Sequence, residues 1–175
     1  MNMATLFQSF QNPLINPTTS VTPFDRKQSY QMAFQATLQF AQRELLMCEK
    51  DFAESDLGSR ACHDILWSFF TQTPSSQLKI LLHAADHLGA HCPRLLQLRD
   101  QFGHRIEIRQ IGETERGFDK GFVIADQQYF LQRHHHSSYR GEHGADSRTV
   151  ALLQHDFALL WEQASPPDGL QRLYL

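Results

Sequence analysis

The sequence predicts an α/β domain with a mixed sheet flanked by helices. Three observations carry that expectation. Short apolar runs of strand length alternate with segments of helical periodicity through the first hundred residues. Two five-residue strand-like runs, GFVIA and YFLQR, then flank a polar turn, which reads as an antiparallel hairpin. A long amphipathic segment closes the pattern.

The elements follow in order. Residues Met1 to Phe24 contain no Asp, Glu, Lys or Arg and carry Pro13, Pro17 and Pro23. They read as a flexible or loosely docked N-terminal arm, in which Leu6, Phe7, Phe10, Leu14 and Ile15 are available for docking. The body, residues 25–175, opens on a helix from Asp25 to Arg43. Tyr30, Phe34, Leu38 and Ala41 recur on one face, with Asp25 as the expected N-cap. Glu44 to Cys48 is a buried strand that Glu49-Lys50-Asp51 ends with charge. A second helix, Leu57 to Thr73, stops at Pro74-Ser75-Ser76, and Leu78 to His83 is the second buried strand. His83 to Cys92 reads as irregular because Gly89 interrupts it. Pro93 opens a helix that Gly103 stops after Phe102.

Arg105 to Ile111 alternates apolar and polar residues, as a half-exposed strand does. A charged loop, Gly112 to Phe118, leads to the hairpin, Gly121 to Ala125 and Tyr129 to Arg133, turning at Asp126-Gln127-Gln128. Ser137 to Ala145 reads as a polar loop. Asp146 to Ala164 is the closing helix, with Val150, Leu153, Phe157, Leu160 and Trp161 on one side. Leu170 to Leu175 is apolar enough for an edge strand.

Composition narrows the function classes. Lys plus Arg is 16 and Asp plus Glu is 19, a formal net charge of -3, which argues against binding nucleic acid through a whole-surface positive field. No apolar run reaches the roughly 18 residues needed to cross a bilayer, so no membrane insertion is expected. Without a signal-like start, a cytoplasmic location is the default expectation. Cys48, Cys62 and Cys92 are few and widely spaced, which suits reduced thiols. Cys92 precedes a proline at a helix start, where a thiolate could be stabilised, but it reads first as a small residue near a helix cap.

Ten histidines are the unusual feature. His134-His135-His136 ends the second hairpin strand, with His143 beyond, and His83, His87 and His91 form a second set. Neither set has the carboxylate or cysteine pattern that fixes a metal geometry, so no metal or other cofactor is expected.

The stretch Phe118-Asp119-Lys120-Gly121-Phe122-Val123-Ile124-Ala125-Asp126 carries a family resemblance. A strand ending in Asp, after helix–strand units and before a hairpin and a long helix, resembles the motif strand of the phospholipase D-like superfamily. More closely, the chain is similar to a bacterial domain of that superfamily. The residues behind this are Cys92-Pro93-Arg94-Leu95-Leu96, His104-Arg105-Ile106-Glu107-Ile108-Arg109, Phe122-Val123-Ile124-Ala125-Asp126 and Trp161-Glu162. The resemblance implies a phospholipase D-like half-domain. Active members carry His-x-Lys-x4-Asp, the His attacking phosphorus and the Lys holding phosphate oxygens. It also implies a homodimer, because active single halves pair to join two half-sites, and an acetyltransferase as a protein partner, because some relatives are joined to one.

The motif is broken here. The four lysines are Lys27, Lys50, Lys79 and Lys120, and none follows a histidine by two. With Asp126 as the motif Asp, Asp119 stands at the His position and Gly121 at the Lys position. With Lys120 as the motif Lys, Phe118 and Ala125 stand at the other two. Where active relatives have Gly-Ser-x-Asn, this chain has Arg133, His134, His135 and His136.

The expected function is a non-catalytic phospholipase D-like domain with no catalytic residues. It would bind a phosphate-containing anion or a partner protein, with Asp119, Lys120, Asp126, Arg133, His134 and His136 as the candidate ligand-binding set. Arg133 could instead pair with Asp119 or Asp126 as a structural ion pair. Two alternatives stay open: a phosphodiesterase or hydrolase using a variant His/Asp or metal site, and a pure interaction module working through the arm.

Overall fold

The structure, a computed structural model, describes residues 20–170. Its strands are β1 (Val21–Phe24), β2 (Glu44–Glu49), β3 (Gln77–Leu82), β4 (Ile106–Gln110), β5 (Gly121–Ala125), β6 (Tyr129–Arg133) and β7 (Gly141–Gly144). Its helices are α1 (Lys27–Phe40), α2 (Arg60–Gln72), α3 (Asp86–His91), α4 (Pro93–Phe102) and α5 (Ser147–Gln163), with short 3-10 turns at Gly103–Arg105 and Glu113–Glu115. All seven strands form one sheet in the order β1-β7-β6-β5-β2-β3-β4. β2, β3 and β4 run parallel through helical crossovers. β5 turns antiparallel against β2, and β6, β7 and β1 continue antiparallel.

The sheet is buried on both faces, so its central strands are apolar at consecutive positions rather than alternate ones. Leu45, Met47, Leu78, Ile80, Val123 and Leu131 face α1 and α2, meeting Tyr30, Phe34, Leu38, Leu66 and Phe70. Leu46, Cys48, Leu81, Phe122, Ile124 and Phe130 face the other way and meet Val150, Leu153, Phe157 and Leu160 of α5. Burying a large apolar side chain contributes about 1.5–3 kcal/mol.

Local signals explain the element ends. The Ser59 hydroxyl accepts from the Cys62 N–H at 3.1 Å and caps α2. Asp146 accepts from the Thr149 N–H at 3.0 Å and caps α5. Pro93 opens α4, and Gly103, at φ +60°, closes it in the left-handed region. Three residues, Asp126 to Gln128, join β5 to β6; Asp126 and Gln127 are both at positive φ, as at the centre of a type I′ turn, and the Gln128 N–H donates to the Ala125 carbonyl at 3.0 Å.

Several expectations are corrected. α1 starts at Lys27 with Arg26 as its N-cap, not Asp25; the Ser29 hydroxyl accepts from the Arg26 N–H and donates to the Arg26 carbonyl. His87 and His91 lie on a helix, α3, within the stretch read as irregular. The polar loop after β6 contains β7. The segment read as a flexible or loosely docked arm supplies β1 from its last four residues, which pair with β7, while Leu6, Phe7, Phe10, Leu14 and Ile15 lie outside the described residues. Leu170 packs into the first core, residues 171–175 lie outside the described ones, and the chain touches the β4 edge through Ser165 and Gln110 instead. Cys92 is buried at the start of α4, and burial raises its thiol, as suits a small residue at a helix cap and not an activated thiolate. Cys48 and Cys62 are also free and buried, and burial pushes the Cys62 thiol up to about 11. No helix among the described residues is long and apolar enough to cross a membrane.

Candidate functional site

Three strand ends meet on the face that α1 covers: the last residue of β2, Glu49; the last of β6, Arg133; and the first of β5, Gly121. The Glu49 and Arg133 side chains are each only 3% exposed. Arg133 donates twice, Nη2 to Glu49 Oε2 at 2.7 Å and Nε to Oε1 at 3.1 Å. The Tyr30 hydroxyl donates to Oε1 at 3.3 Å, and the Lys50 N–H donates to Oε2 at 3.0 Å. The guanidinium also lies 5.1 Å over the Tyr30 ring. Every charge is thus answered, as a buried pair requires. Burial and the adjacent Glu49 charge hold the Tyr30 hydroxyl well above its ordinary range. Burial alone would lower Arg133, but its bonds to Glu49 outweigh that and raise it.

Gly121 makes room for the pair. A Cβ there would lie 1.7 Å from Glu49 Oε1. The volume that a side chain on the first residue of β5 would enter is filled by the Glu49 carboxylate.

A second cluster sits just outside. The third guanidinium nitrogen, Arg133 Nη1, donates to the His136 carbonyl at 3.1 Å. The His136 N–H donates to Asp119 Oδ1 at 3.0 Å, and His135 Nδ1 lies 3.0 Å from Asp119 Oδ2. His136 Nδ1 is 3.5 Å from Asp119 Oδ1. The His136 N–H and His135 hold the Asp119 carboxyl below its usual range. His83, beyond the end of β3, meets His136 edge-on with ring centroids 5.3 Å apart. Nε2 of each ring is buried with no hydrogen-bond partner among the described residues. Burial, then the neighbouring His136, lowers the His83 imidazole.

His134 points elsewhere. It is exposed, its N–H donates to the Arg140 carbonyl at 3.0 Å, and it lines an open cleft of about 640 Å³ with His135, Ser138 and Arg140. Phe24 and Pro23 of β1 form part of the wall. The Arg140 side chain forms no ion pair among the described residues. Two carboxylates also line the cleft: Glu142, which accepts from Gln132 Nε2 at 2.8 Å, and Asp25, 3.9 Å from Arg26.

The candidate set from sequence is therefore divided. Asp119, Arg133 and His136 come together, Lys120 is exposed beside Asp119, and His134 faces the cleft. Asp126 lies at the other end of β5. Its carboxylate accepts from the N–H groups of Gln42, Arg43 and Glu44 at 2.8, 2.8 and 2.9 Å and so closes the α1–β2 loop. Arg133 pairs with Glu49, not with Asp119 or Asp126 as the sequence suggested. Glu49, Tyr30 and Arg140 were not anticipated. The available signal was a Glu directly after Leu45-Leu46-Met47-Cys48, an acid at the end of a run too apolar to be exposed. No group of three or more His, Cys, Asp or Glu side chains among the described residues is placed to hold a metal ion.

The mixed sheet with helices on both faces is an α/β fold of the phospholipase D type. Solved structures bear this out. The chain is similar to Nuc from Salmonella typhimurium, a phospholipase D family member, at TM-score 0.60 and 10% identity, over 83% of this chain and 96% of Nuc. NucT from Helicobacter pylori matches at TM-score 0.61 and 9% identity, over 84% of this chain and 98% of that one. The archaeal chromatin protein TrmBL2, whose structure shows a novel mode of DNA binding, matches at TM-score 0.63 and 20% identity over 93% of this chain. The match spans 60% of the TrmBL2 chain. A family model described as "Domain of unknown function (DUF7931)" matches residues 26–173, and the chain belongs to that family. No curated protein matches the sequence.

Proposed function

We propose that this protein is a non-catalytic phospholipase D-like domain that binds a phosphate-containing anion at the rim of its sheet. The observation that carries the reading is the Glu49–Arg133 pair beneath Gly121. With Asp126 aligned to the motif Asp, Gly121 stands where active members carry the phosphate-holding Lys, and the Glu49 carboxylate fills that space. Asp119 stands at the nucleophile position and is committed to His135 and His136. The Lys position thus holds a neutralised ion pair in place of a free cation, and the nucleophile position holds a carboxylate in place of an imidazole.

The cleft supports the binding half of the reading. His134, His135, Ser138 and Arg140 offer a guanidinium, a hydroxyl and two imidazoles as hydrogen-bonding groups for an anion. Asp119 and Lys120 border this rim through His135, and Arg133 and His136 hold the loop that carries it.

Thermal stability of the full chain with inorganic phosphate and with short oligonucleotides, at pH 6 and pH 8, tests this. Stabilisation that Arg140→Ala removes is the expected result. No shift with either anion at either pH would sink the binding half.

A second reading has one observation in its favour. The bare Nε2 atoms of His83 and His136, with Asp119 behind His136, resemble an oriented base or nucleophile of a hydrolase. Turnover of a generic phosphodiester, lost in His136→Ala, would establish it and overturn the non-catalytic reading.

A further inference from the structure

The outward face of α5 carries a stripe that is apolar, exposed and self-complementary. α5 covers one face of the sheet with Val150, Leu153, Phe157 and Leu160. Its opposite side shows Arg148, Ala151, Leu152, His155, Ala158, Leu159 and Glu162, all exposed. Leu152 is 61% and Leu159 52% exposed, the two highest values among the exposed large apolar side chains. The stripe repeats every seven residues: Ala151 and Leu152 recur as Ala158 and Leu159, and His155 as Glu162.

The stripe is also arranged about a centre. Arg148 and Glu162 stand seven residues to either side of His155, Ala151 and Leu159 four, and Leu152 and Ala158 three. Two copies of α5 packed antiparallel about a two-fold axis at His155 would therefore set Arg148 against Glu162, Ala151 against Leu159 and Leu152 against Ala158. Each large side chain meets a small one and each charge meets its opposite. Alanines at the crossing let the axes approach to the short end of the usual 8–10 Å. Neither Arg148 nor Glu162 forms a salt bridge among the described residues, so both are open to a partner.

The geometry points to a second copy of this chain as the occupant: the protein forms a two-fold homodimer through antiparallel α5 helices. An isologous contact must be self-complementary, and this stripe is so in size and in charge. None of the cleft side chains lies on α5, so the dimer is independent of anion binding. A helix of 17 residues is about 25 Å long. One such pair buries less than the roughly 1,600 Å² of a standard stable interface, so the dimer dissociates on dilution.

The test is the mass of the full chain by sedimentation across a dilution series reaching the millimolar range. The expected result is a mass rising to twice that of the monomer. Leu152→Glu and Leu159→Glu stay monomeric with an unchanged melting curve, since both sites are exposed. Arg148→Glu and Glu162→Arg each weaken association roughly tenfold, and the double reversal restores it. His155→Cys gives a disulfide-linked dimer under mild oxidation, whereas the wild type, with its three cysteines buried, gives none. A monomer at every concentration would overturn the proposal and leave the stripe to a helix of another protein. A dimer indifferent to both charge reversals and both leucine substitutions would overturn it equally.

Discussion

Glu49 and Arg133, 84 residues apart in the chain, meet at 2.7 Å in a bidentate pair that water scarcely reaches. The pair joins the end of β2 to the end of β6 across β5, so it fastens the parallel and antiparallel halves of the sheet together. Removing one partner should cost far more than removing both. Glu49→Gln leaves a buried guanidinium without its counter-charge and should lower stability by about 3–5 kcal/mol. The double variant Glu49→Leu/Arg133→Met should recover much of that loss. Urea unfolding of the two variants measures the difference; equal losses would mean the pair is not coupled.

Gly121 is tied to the same pair by its missing side chain. Gly121→Ala puts a methyl 1.7 Å from Glu49 Oε1 and should displace the carboxylate. The expected loss is about 1–3 kcal/mol, as for other overpacked interiors. It should be largely absent when Glu49 is already Ala, a double-mutant cycle read by the same unfolding curves.

Asp126 should matter for folding and not for binding. Asp126→Ala removes the acceptor of three backbone N–H groups, two of them on exposed residues that water can serve in part. The expected loss is about 1–3 kcal/mol, with anion affinity unchanged in a phosphate titration.

Stability should fall on mild acidification. Burial lowers the His83 and His143 imidazoles below the ordinary value near 6.5. The unfolded chain then takes up protons first, so stability is full above about pH 7 and declines as the pH drops through 6.5. The decline levels off once the folded rings protonate. A second loss follows below about pH 4, where Asp146, depressed by the Thr149 side chain and N–H, gains its proton. Denaturant midpoints from pH 8 to pH 5 measure the first slope, and His83→Gln/His143→Gln should flatten it.

Elements with their own apolar signal were legible in the sequence. Pro93–Phe102, Gly121–Ala125 and Tyr129–Arg133 have the bounds their patterns predict. Gly141–Gly144 has no apolar residue at all. It is a strand because β6 and β1 pair with it on either side, and because Gly141 lets Phe24 and the Gln132 carbonyl approach within 2.6 and 2.0 Å of where a Cβ would be. β1 was hidden in the same way: Pro23, which suits only an edge strand, made the segment read as unstructured. The site was half legible. Arg133, His136 and Asp119 drew notice as a group, but the partner of Arg133 comes from a distant strand that no local pattern announces.

The sheet order also sets a sequence of assembly. β2, β3 and β4 can pair as soon as their own helices have formed, because each contact closes a short loop. β1 cannot. Val21 pairs with Gly144, at nearly opposite ends of the described chain, so the first strand made has to wait for the last. During synthesis on a ribosome the apolar Val21 and Phe24 therefore stay unclaimed until β7 has emerged. The same contact should be the first of the sheet to open, and amide hydrogens along β1 should exchange before those of β2 and β3.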